Sequence, residues 1–172
     1  MEADNLPLIR KHKLDETDIR ILQVLQEEGR IPNNALALRT GLTPSPALRR
    51  TKALEQEGFI LGYSATLDPQ KFGFQVLAFV LVGLATQANK DVKDFQSAVR
   101  AWATVRECYA LSGATDFLLK CLTKDLTTLQ QFVAEKLLKF PNVETVRSLF
   151  CIGIPKCEPS VPVSIISTPR AS

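Results

Sequence analysis

The chain has 172 residues, 45% of them hydrophobic and 23% charged, a balance typical of a folded protein with one ordinary domain or two small ones. No apolar run reaches the roughly 20 residues of a membrane-spanning helix, and the first residues lack the apolar core of a signal peptide, so we expect a cytoplasmic protein with no membrane partner. The net charge of +3 is too small to indicate nucleic-acid binding, so any such indication must come from local clusters.

After an N-terminal lead (1–13), residues 14–59 carry the pattern of three short helices. Asp15 is a plausible N-cap for the first helix, and early acidic residues suit the positive end of its dipole. A broad apolar face follows, made up of Ile19, Ile21, Leu22, Val24 and Leu25. Asn33 or Asn34 can cap the second helix, which has Leu36, Ala37 and Leu38 inside and which Gly41 ends.

Residues 30–52 hold five basic residues and no acidic one. Thr43 is a plausible N-cap for the third helix, with Pro44 at its first position. At a rotation of 100° per residue, one side of this helix is predicted to be buried, and it consists of Ala47, Leu48, Thr51 and Leu54. Ser45 and Arg49 lie on the opposite side, and Arg50 and Lys52 flank them. The pattern of residues 30–52 is therefore typical of a DNA-reading element.

In a helix-turn-helix the second helix enters the major groove and leads with its N-terminal residues. We predict that Ser45 and Arg49 contact base edges and that Arg30, Arg39, Arg50 and Lys52 contact phosphates. The full predicted DNA surface is Arg30, Asn34, Arg39, Thr43, Ser45, Pro46, Arg49, Arg50 and Lys52. The alternative is a solvated basic helix in a small helical subdomain.

A linker strand (60–73) is predicted to lead into an α/β unit over residues 74–156. Strands are predicted over 74–82, 105–111, 117–122 and 143–154, and two helical stripes lie between them, Val92–Phe95–Val99–Trp102 and Leu126–Leu129–Val133–Leu137. This β-α-β-β-α-β order is that of the ferredoxin-like fold. Both helices cover one sheet face, so we expect the bare face to pack against a second subunit. The proline-rich tail (157–172) is predicted to be mobile, with Val161–Ile166 resting on the sheet domain or on a neighbour.

In sequence order, the segments LDETDIRILQVLQEEGRI, GLTPSPALRRTKALEQEGFILGY, LDPQKFG, VRECYALSG, DFLLK and KDL resemble those of the leucine-responsive/asparagine-responsive (Lrp/AsnC) transcriptional regulators. The resemblance covers residues 13–156. It implies a winged-helix-like DNA-binding domain, a ferredoxin-like ligand-sensing domain, and dimers that assemble into octamers or similar rings. It also implies a nucleoid-associated regulator that binds operator DNA and responds to an amino acid or a related metabolite.

The resemblance further implies an effector site between sensing domains, beside the loop that joins the two middle strands. Where the family has glycine, an acid, an aromatic residue and aspartate, this chain has Gly113-Ala114-Thr115-Asp116, so two of the four positions depart from the pattern. The Asp116 carboxylate can bind an ammonium group, or it can cap its own turn. The implied effector residues are Ser112, Gly113, Ala114, Thr115, Asp116, Leu126, Leu138, Leu149 and Phe150.

Other functional classes find little support in the sequence. His12 is the only histidine, so a histidine-based triad or a multi-histidine metal site is excluded, and we predict no catalytic residues, no metal and no cofactor. The four cysteines lack metal-binding spacing and are predicted to be buried free thiols. Two alternatives remain, an enzyme subunit similar to siroheme decarboxylase and an architectural DNA-binding protein without an effector.

Overall fold

The computed structural model describes residues 14–158 and 161–163, which form two compact units. The first contains residues 14–66 with 158 and 161–163, and the second contains residues 67–157. The predicted lead (1–13) and the tail residues beyond 163 lie outside the described residues. Among those described, no helix has both the length and the apolar character needed to cross a membrane.

The first unit contains three helices, α1 (Glu16–Glu27), α2 (Asn33–Thr40) and α3 (Pro44–Gln56). The predicted N-cap of α1 is confirmed, because the Asp15 carboxylate accepts from the Asp18 N–H at 2.8 Å while the Asp18 carboxylate accepts from the Asp15 N–H at 3.2 Å. For α2 the prediction was wrong, since its N-cap is Pro32. Leu38 is 83% exposed, because an eight-residue helix buries a single face, here formed by Leu36, Ala37 and Thr40.

The core of this unit also includes a residue from the C-terminal segment. Its buried apolar side chains are Ile19, Ile21, Leu22, Val24, Leu36, Leu54 and Val163. Val163 is only 4% exposed. The prediction that Val161–Ile166 rest on the sheet domain is therefore wrong for the described residues 161–163, because these belong to the helical unit.

The predicted linker strand does not form, and residues 57–75 contain only one regular element, a 3-10 helix at Pro69–Phe72. A strand requires a pairing partner, and within the described residues the four strands pair only with one another. The start of the linker is nevertheless held, because the Tyr63 hydroxyl donates to Glu55 Oε1 at 2.9 Å. Partial burial and this hydrogen bond raise the pKa of Tyr63 to about 12, so the hydroxyl remains a donor.

The second unit is a four-stranded sheet with two helices. The elements are β1 (Val76–Leu84), α4 (Asn89–Ala101), β2 (Val105–Ala110), β3 (Phe117–Thr123), α5 (Leu126–Phe132) and β4 (Val143–Phe150). The strand order is β2-β3-β1-β4 and every pairing is antiparallel. This is the predicted ferredoxin-like arrangement.

One face of the sheet packs against the helices. Ala78, Val80 and Val82 are fully buried there, and Phe95 of α4 lies 4.8 Å from Phe117, ring centre to ring centre. Alternation along the strands points another set of side chains to the opposite face. That bare face carries Leu77, Phe79, Leu81, Glu107, Tyr109, Leu118, Lys120, Leu122, Arg147 and Leu149.

Three details of this unit differ from the predictions. The last strand ends at Phe150 rather than Ile154, because its partner β1 begins at Val76 and the final backbone bond joins the Cys151 N–H to the Leu77 carbonyl. The second predicted helix is divided in two. Its α-helical part, α5, ends at Phe132, and a π-helical turn follows at Val133–Leu137, in which the Leu138 N–H donates to the Val133 carbonyl. All four cysteines are free, but only Cys121 is fully buried, while Cys108 and Cys157 are exposed and Cys151 is half-buried.

Candidate DNA-binding and ligand-binding surfaces

The outer face of α3 is polar and basic. Ala47, Thr51 and Leu54 are buried, whereas Ser45, Arg49 and Lys52 are exposed. Leu48 was predicted to be inside but is 44% exposed, because it lies at the edge of the buried row, about 60° around the helix from Thr51. The exposed stripe on α3 therefore consists of Ser45, Leu48, Arg49 and Lys52.

Local structure sets the direction in which α3 starts. Gly41 ends α2 with a φ of 71°, a left-handed conformation that glycine adopts without strain. The Leu42 N–H then donates to the Ala37 carbonyl at 2.8 Å, and the Asn33 amide donates to the Pro44 carbonyl at 2.9 Å. Thr43 is the N-cap residue, but its side chain makes no capping hydrogen bond. The beginning of α3 is thus tied to both ends of α2.

Arg50 points back to α1 rather than outwards. Its Nη1 lies 2.7 Å from Asp15 Oδ2 and 2.8 Å from Asp18 Oδ1. The Asp18 side chain is only 5% exposed, whereas Arg50 is 34% exposed. Hydrogen bonds to Asp18 and Asp15 raise the pKa of Arg50. Partial burial acts to raise the pKa of Asp15, but hydrogen bonds from the Asp18 N–H and Arg50 outweigh it and lower that pKa. Arg50 therefore braces α3 against the capping box of α1.

The other predicted DNA residues differ in how far they are engaged within the chain. Arg39 is paired with Glu27 at 2.6 Å and with Glu28 at 3.6 Å. In the part of the chain that the structure describes, Arg30, Arg49 and Lys52 form no ion pair. Asn34 and Thr43 are exposed, and Pro46 is half-buried in the first turn of α3.

The hairpin loop between β2 and β3 holds the second predicted site. Ser112, Gly113 and Ala114 are exposed, while Thr115 and Asp116 are half-buried. The Asp116 carboxylate accepts from the Leu84 N–H at 2.7 Å and from the Gln87 amide at 2.8 Å. Asp116 therefore fixes the end of β1 and the segment after it, rather than capping its own turn.

A shallow groove of about 240 Å³ lies between β4 and the end of α5 with its π-helical turn. Its lining is largely apolar and comprises Leu129, Gln130, Val133, Ala134, Ser148 and Phe150. Of these, only Phe150 was predicted as a site residue. The π-helical turn has no sequence signature, and it places Val133 and Ala134 in the wall. The groove offers an apolar surface with one amide and one hydroxyl.

A single chain does not bring all the predicted effector residues together. Phe117, beside the hairpin loop, pairs with Val82, whereas Phe150 pairs with Ala78. These pairs are four positions apart along β1, which corresponds to about 13 Å along the strand. Leu149 lies on the bare face of the sheet and Phe150 on the helix-covered face. Leu126, Leu138, Leu149 and Phe150 are 45%, 56%, 44% and 54% exposed.

The first unit is a helix-turn-helix whose third helix is braced and carries an outward basic stripe. The second unit is a βαββαβ domain with an apolar groove. These two features define a helix-turn-helix DNA-binding regulator with a ligand-binding domain. Residues 14–60 match the winged helix-turn-helix DNA-binding family, and residues 77–161 match the Lrp/AsnC ligand binding domain. The chain belongs to the Lrp/AsnC family of transcriptional regulators, as its motifs predicted.

Individual relatives agree with this assignment. The chain is 41% identical to the leucine-responsive regulatory protein of Rhizobium meliloti over 145 residues, which cover 84% of this chain and 93% of that one. It is 40% identical to the proline dehydrogenase transcriptional activator of Rhizobium radiobacter, with 76% and 83% covered. A transcriptional regulator from Neisseria meningitidis, solved as a complex with L-methionine, has 40% identity and a TM-score of 0.84, with 88% of this chain and 97% of that one covered.

Proposed function

We propose that α3 is the recognition helix and that its exposed stripe reads operator DNA. Ser45 and Arg49 contact base edges, and Leu48 adds an apolar contact of the kind that thymine methyl groups accept. Lys52 and Arg30 contact phosphates. The observation that carries this proposal is that Arg49 and Lys52 are exposed and free of ion pairs with the rest of the described chain, on a helix that Arg50 braces.

The active form in this proposal is a dimer or a larger assembly built from dimers. The bare face of the sheet exposes part of Leu77, Phe79 and Leu81, and Leu149 is 44% exposed. Burying such a face against a second copy removes apolar surface from water. A two-fold dimer also presents two recognition helices to two half-sites, which supports binding to a palindromic operator.

The effector is, in this proposal, an amino acid with an aliphatic or thioether side chain that occupies the groove beside Phe150. Leu129, Val133 and Phe150 suit such a side chain. The volume of about 240 Å³ is below the roughly 300–1,000 Å³ of pockets for drug-sized ligands, which favours a small molecule such as an amino acid. The related Neisseria meningitidis regulator was solved with L-methionine. Since the hairpin loop lies about 13 Å along the strand from this groove, we infer that a second subunit supplies the loop that completes the site.

We further infer that the protein is a regulator without enzymatic activity, a cofactor or a membrane partner, and that it acts on nucleoid DNA. Its relatives carry the names of regulatory proteins, which supports this inference. Decarboxylation of a tetrapyrrole by the purified protein would instead favour the enzyme alternative.

Two binding experiments test the proposed function. Arg49→Ala should reduce the preference for an operator over a shuffled duplex by about 1–3 kcal/mol, whereas Arg100→Ala, at an exposed arginine of α4, should leave it unchanged. Calorimetry should detect heat when L-methionine or L-leucine is added, and Ala134→Phe, which fills the groove, should abolish it. Binding of DNA without a response to any amino acid would favour an architectural protein.

A further inference from the structure

The C-terminal segment makes specific contacts with the helix-turn-helix unit. Val163 is 4% exposed and lies in one buried cluster with six side chains from α1, α2 and α3. The Val161 carbonyl accepts from the Gln26 amide at 3.0 Å and from the Val163 N–H at 2.8 Å. Side chain and backbone are therefore both held, and the segment does not merely lie on the surface.

The surface of α1 explains why a fourth element fits there. The buried residues of α1 cover about 220° of the helix circumference at 100° per residue. Around the helix they follow in the order Val24, Ile21, Leu22 and Ile19. A helix that packs on one side needs an apolar stripe little wider than about 100°. Ile19 and Leu22 lie within about 60° of Gln26, the residue that holds the Val161 carbonyl. Ile19 and Leu22 thus share the side of α1 on which the segment is bound.

The two valines of the segment differ in a way that identifies the docked side chain. Val163 is 4% exposed, whereas Val161, two residues earlier, is 63% exposed and contributes its carbonyl rather than its side chain. Pro162 between them is exposed and fixes its own φ, which reduces the backbone freedom lost on docking.

We propose that residues 161–163 form an integral strap of the DNA-binding unit, with α1 as the docking surface and the chain's own Val163 as the occupant. The strap completes the core of the helix-turn-helix, so residues 161–163 support a domain whose other core residues lie between Ile19 and Leu54. This role is independent of any effector and of any DNA sequence.

Hydrogen exchange of the full-length protein tests the strap directly. Val163→Asp places a carboxylate where an apolar side chain is buried, and amide exchange in α1 should accelerate at least tenfold, while β1–β4 remain protected. The matched control Val161→Asp alters an exposed side chain and should leave α1 unchanged. Since the readout is local opening, the result does not depend on the proposed function.

A milder variant guards against loss of folding. Val163→Ala should lower the thermal midpoint of the helix-turn-helix unit by about 4–8 °C, whereas Val161→Ala should not. The proposal is overturned if both Val163 variants behave like their Val161 controls. It is also overturned if exchange in α1 rises on dilution of the unmutated protein, because the docked segment would then come from a second copy.

Discussion

Arg49 and Arg50 are adjacent in the sequence, but the structure predicts opposite consequences for their removal. Arg49 is exposed and unpaired with the rest of the described chain, whereas Arg50 is bound to Asp15 and Asp18. Replacing each by alanine should therefore separate DNA contact from support of the helix. Arg100→Ala serves as the control for the loss of one exposed positive charge.

The magnitude for Arg50→Ala follows from its two partners. A hydrogen bond to the charged Asp18, which is 5% exposed, is worth about 1.5–3 kcal/mol. The pair with Asp15, which is 49% exposed, adds about 0–1 kcal/mol. We expect the free energy of unfolding of the helix-turn-helix unit to fall by about 1.5–4 kcal/mol, the sum of the two contributions. In a double-mutant cycle, Asp18→Ala should cost much less once Arg50 is absent.

The salt dependence of DNA binding provides the contrasting assay. Each phosphate contact contributes about 0.9 to the slope of log K against log salt. Lys52→Ala should reduce the slope by about 0.9 per subunit, and Arg49→Ala should reduce operator preference. Arg50→Ala, measured well below its unfolding temperature, should leave the slope unchanged. A slope reduced by about 0.9 with unaltered unfolding would refute the bracing role and restore Arg50 as a phosphate contact.

Three further predictions concern other parts of the molecule. Hydrogen bonds from the Asp18 N–H and Arg50 hold the pKa of Asp15 below its usual value of 3.8. The contribution of Asp15 to the stability of the fold is therefore present above pH 3.8 and should be lost as the pH falls through the lowered pKa. Asp15→Asn should flatten this part of an acid titration followed by circular dichroism. In Gly83→Ala the new methyl group would clash with Thr145 Oγ1 and should cost about 1–3 kcal/mol in urea unfolding, with the added substitution Thr145→Ala restoring most of it. Leu81→Glu, on the bare sheet face, should convert the assembly to monomers in sedimentation experiments, whereas the exposed control Lys139→Glu should not; unchanged assembly would refute that interface.

The order and type of the elements could be predicted from sequence because hydrophobic periodicity and capping residues act locally. Asp15, Gly41 and Pro44 marked helix ends through interactions with neighbouring residues. The strand ends could not be predicted in this way, because β4 runs antiparallel to β1 and stops near the point where β1 begins. The linker residues failed to form a strand because no strand in the described part of the chain pairs with them.

The candidate sites were harder to predict from sequence, because they depend more heavily on contacts between residues that are far apart in the chain. Ser45 and Arg49 were correctly placed outside by helical rotation alone, but Leu48 lies at the boundary of the buried face, where rotation does not decide. The pairing of Arg50 with Asp15 joins residues 35 positions apart and has no local signal. The broad apolar face of α1 did carry a signal for a further packing element, although the sequence did not indicate that Val163 would fill it.

Equilibrium binding to a duplex from the gene's own promoter, compared with a shuffled duplex of the same length and composition, tests the central claim most directly. At one fixed salt concentration, we predict at least 10³-fold tighter binding to the promoter duplex. Addition of an amino acid that binds the groove should then shift that affinity. Equal affinity for the two duplexes, unaffected by any amino acid, would contradict the assignment of this protein as an effector-modulated, sequence-specific regulator.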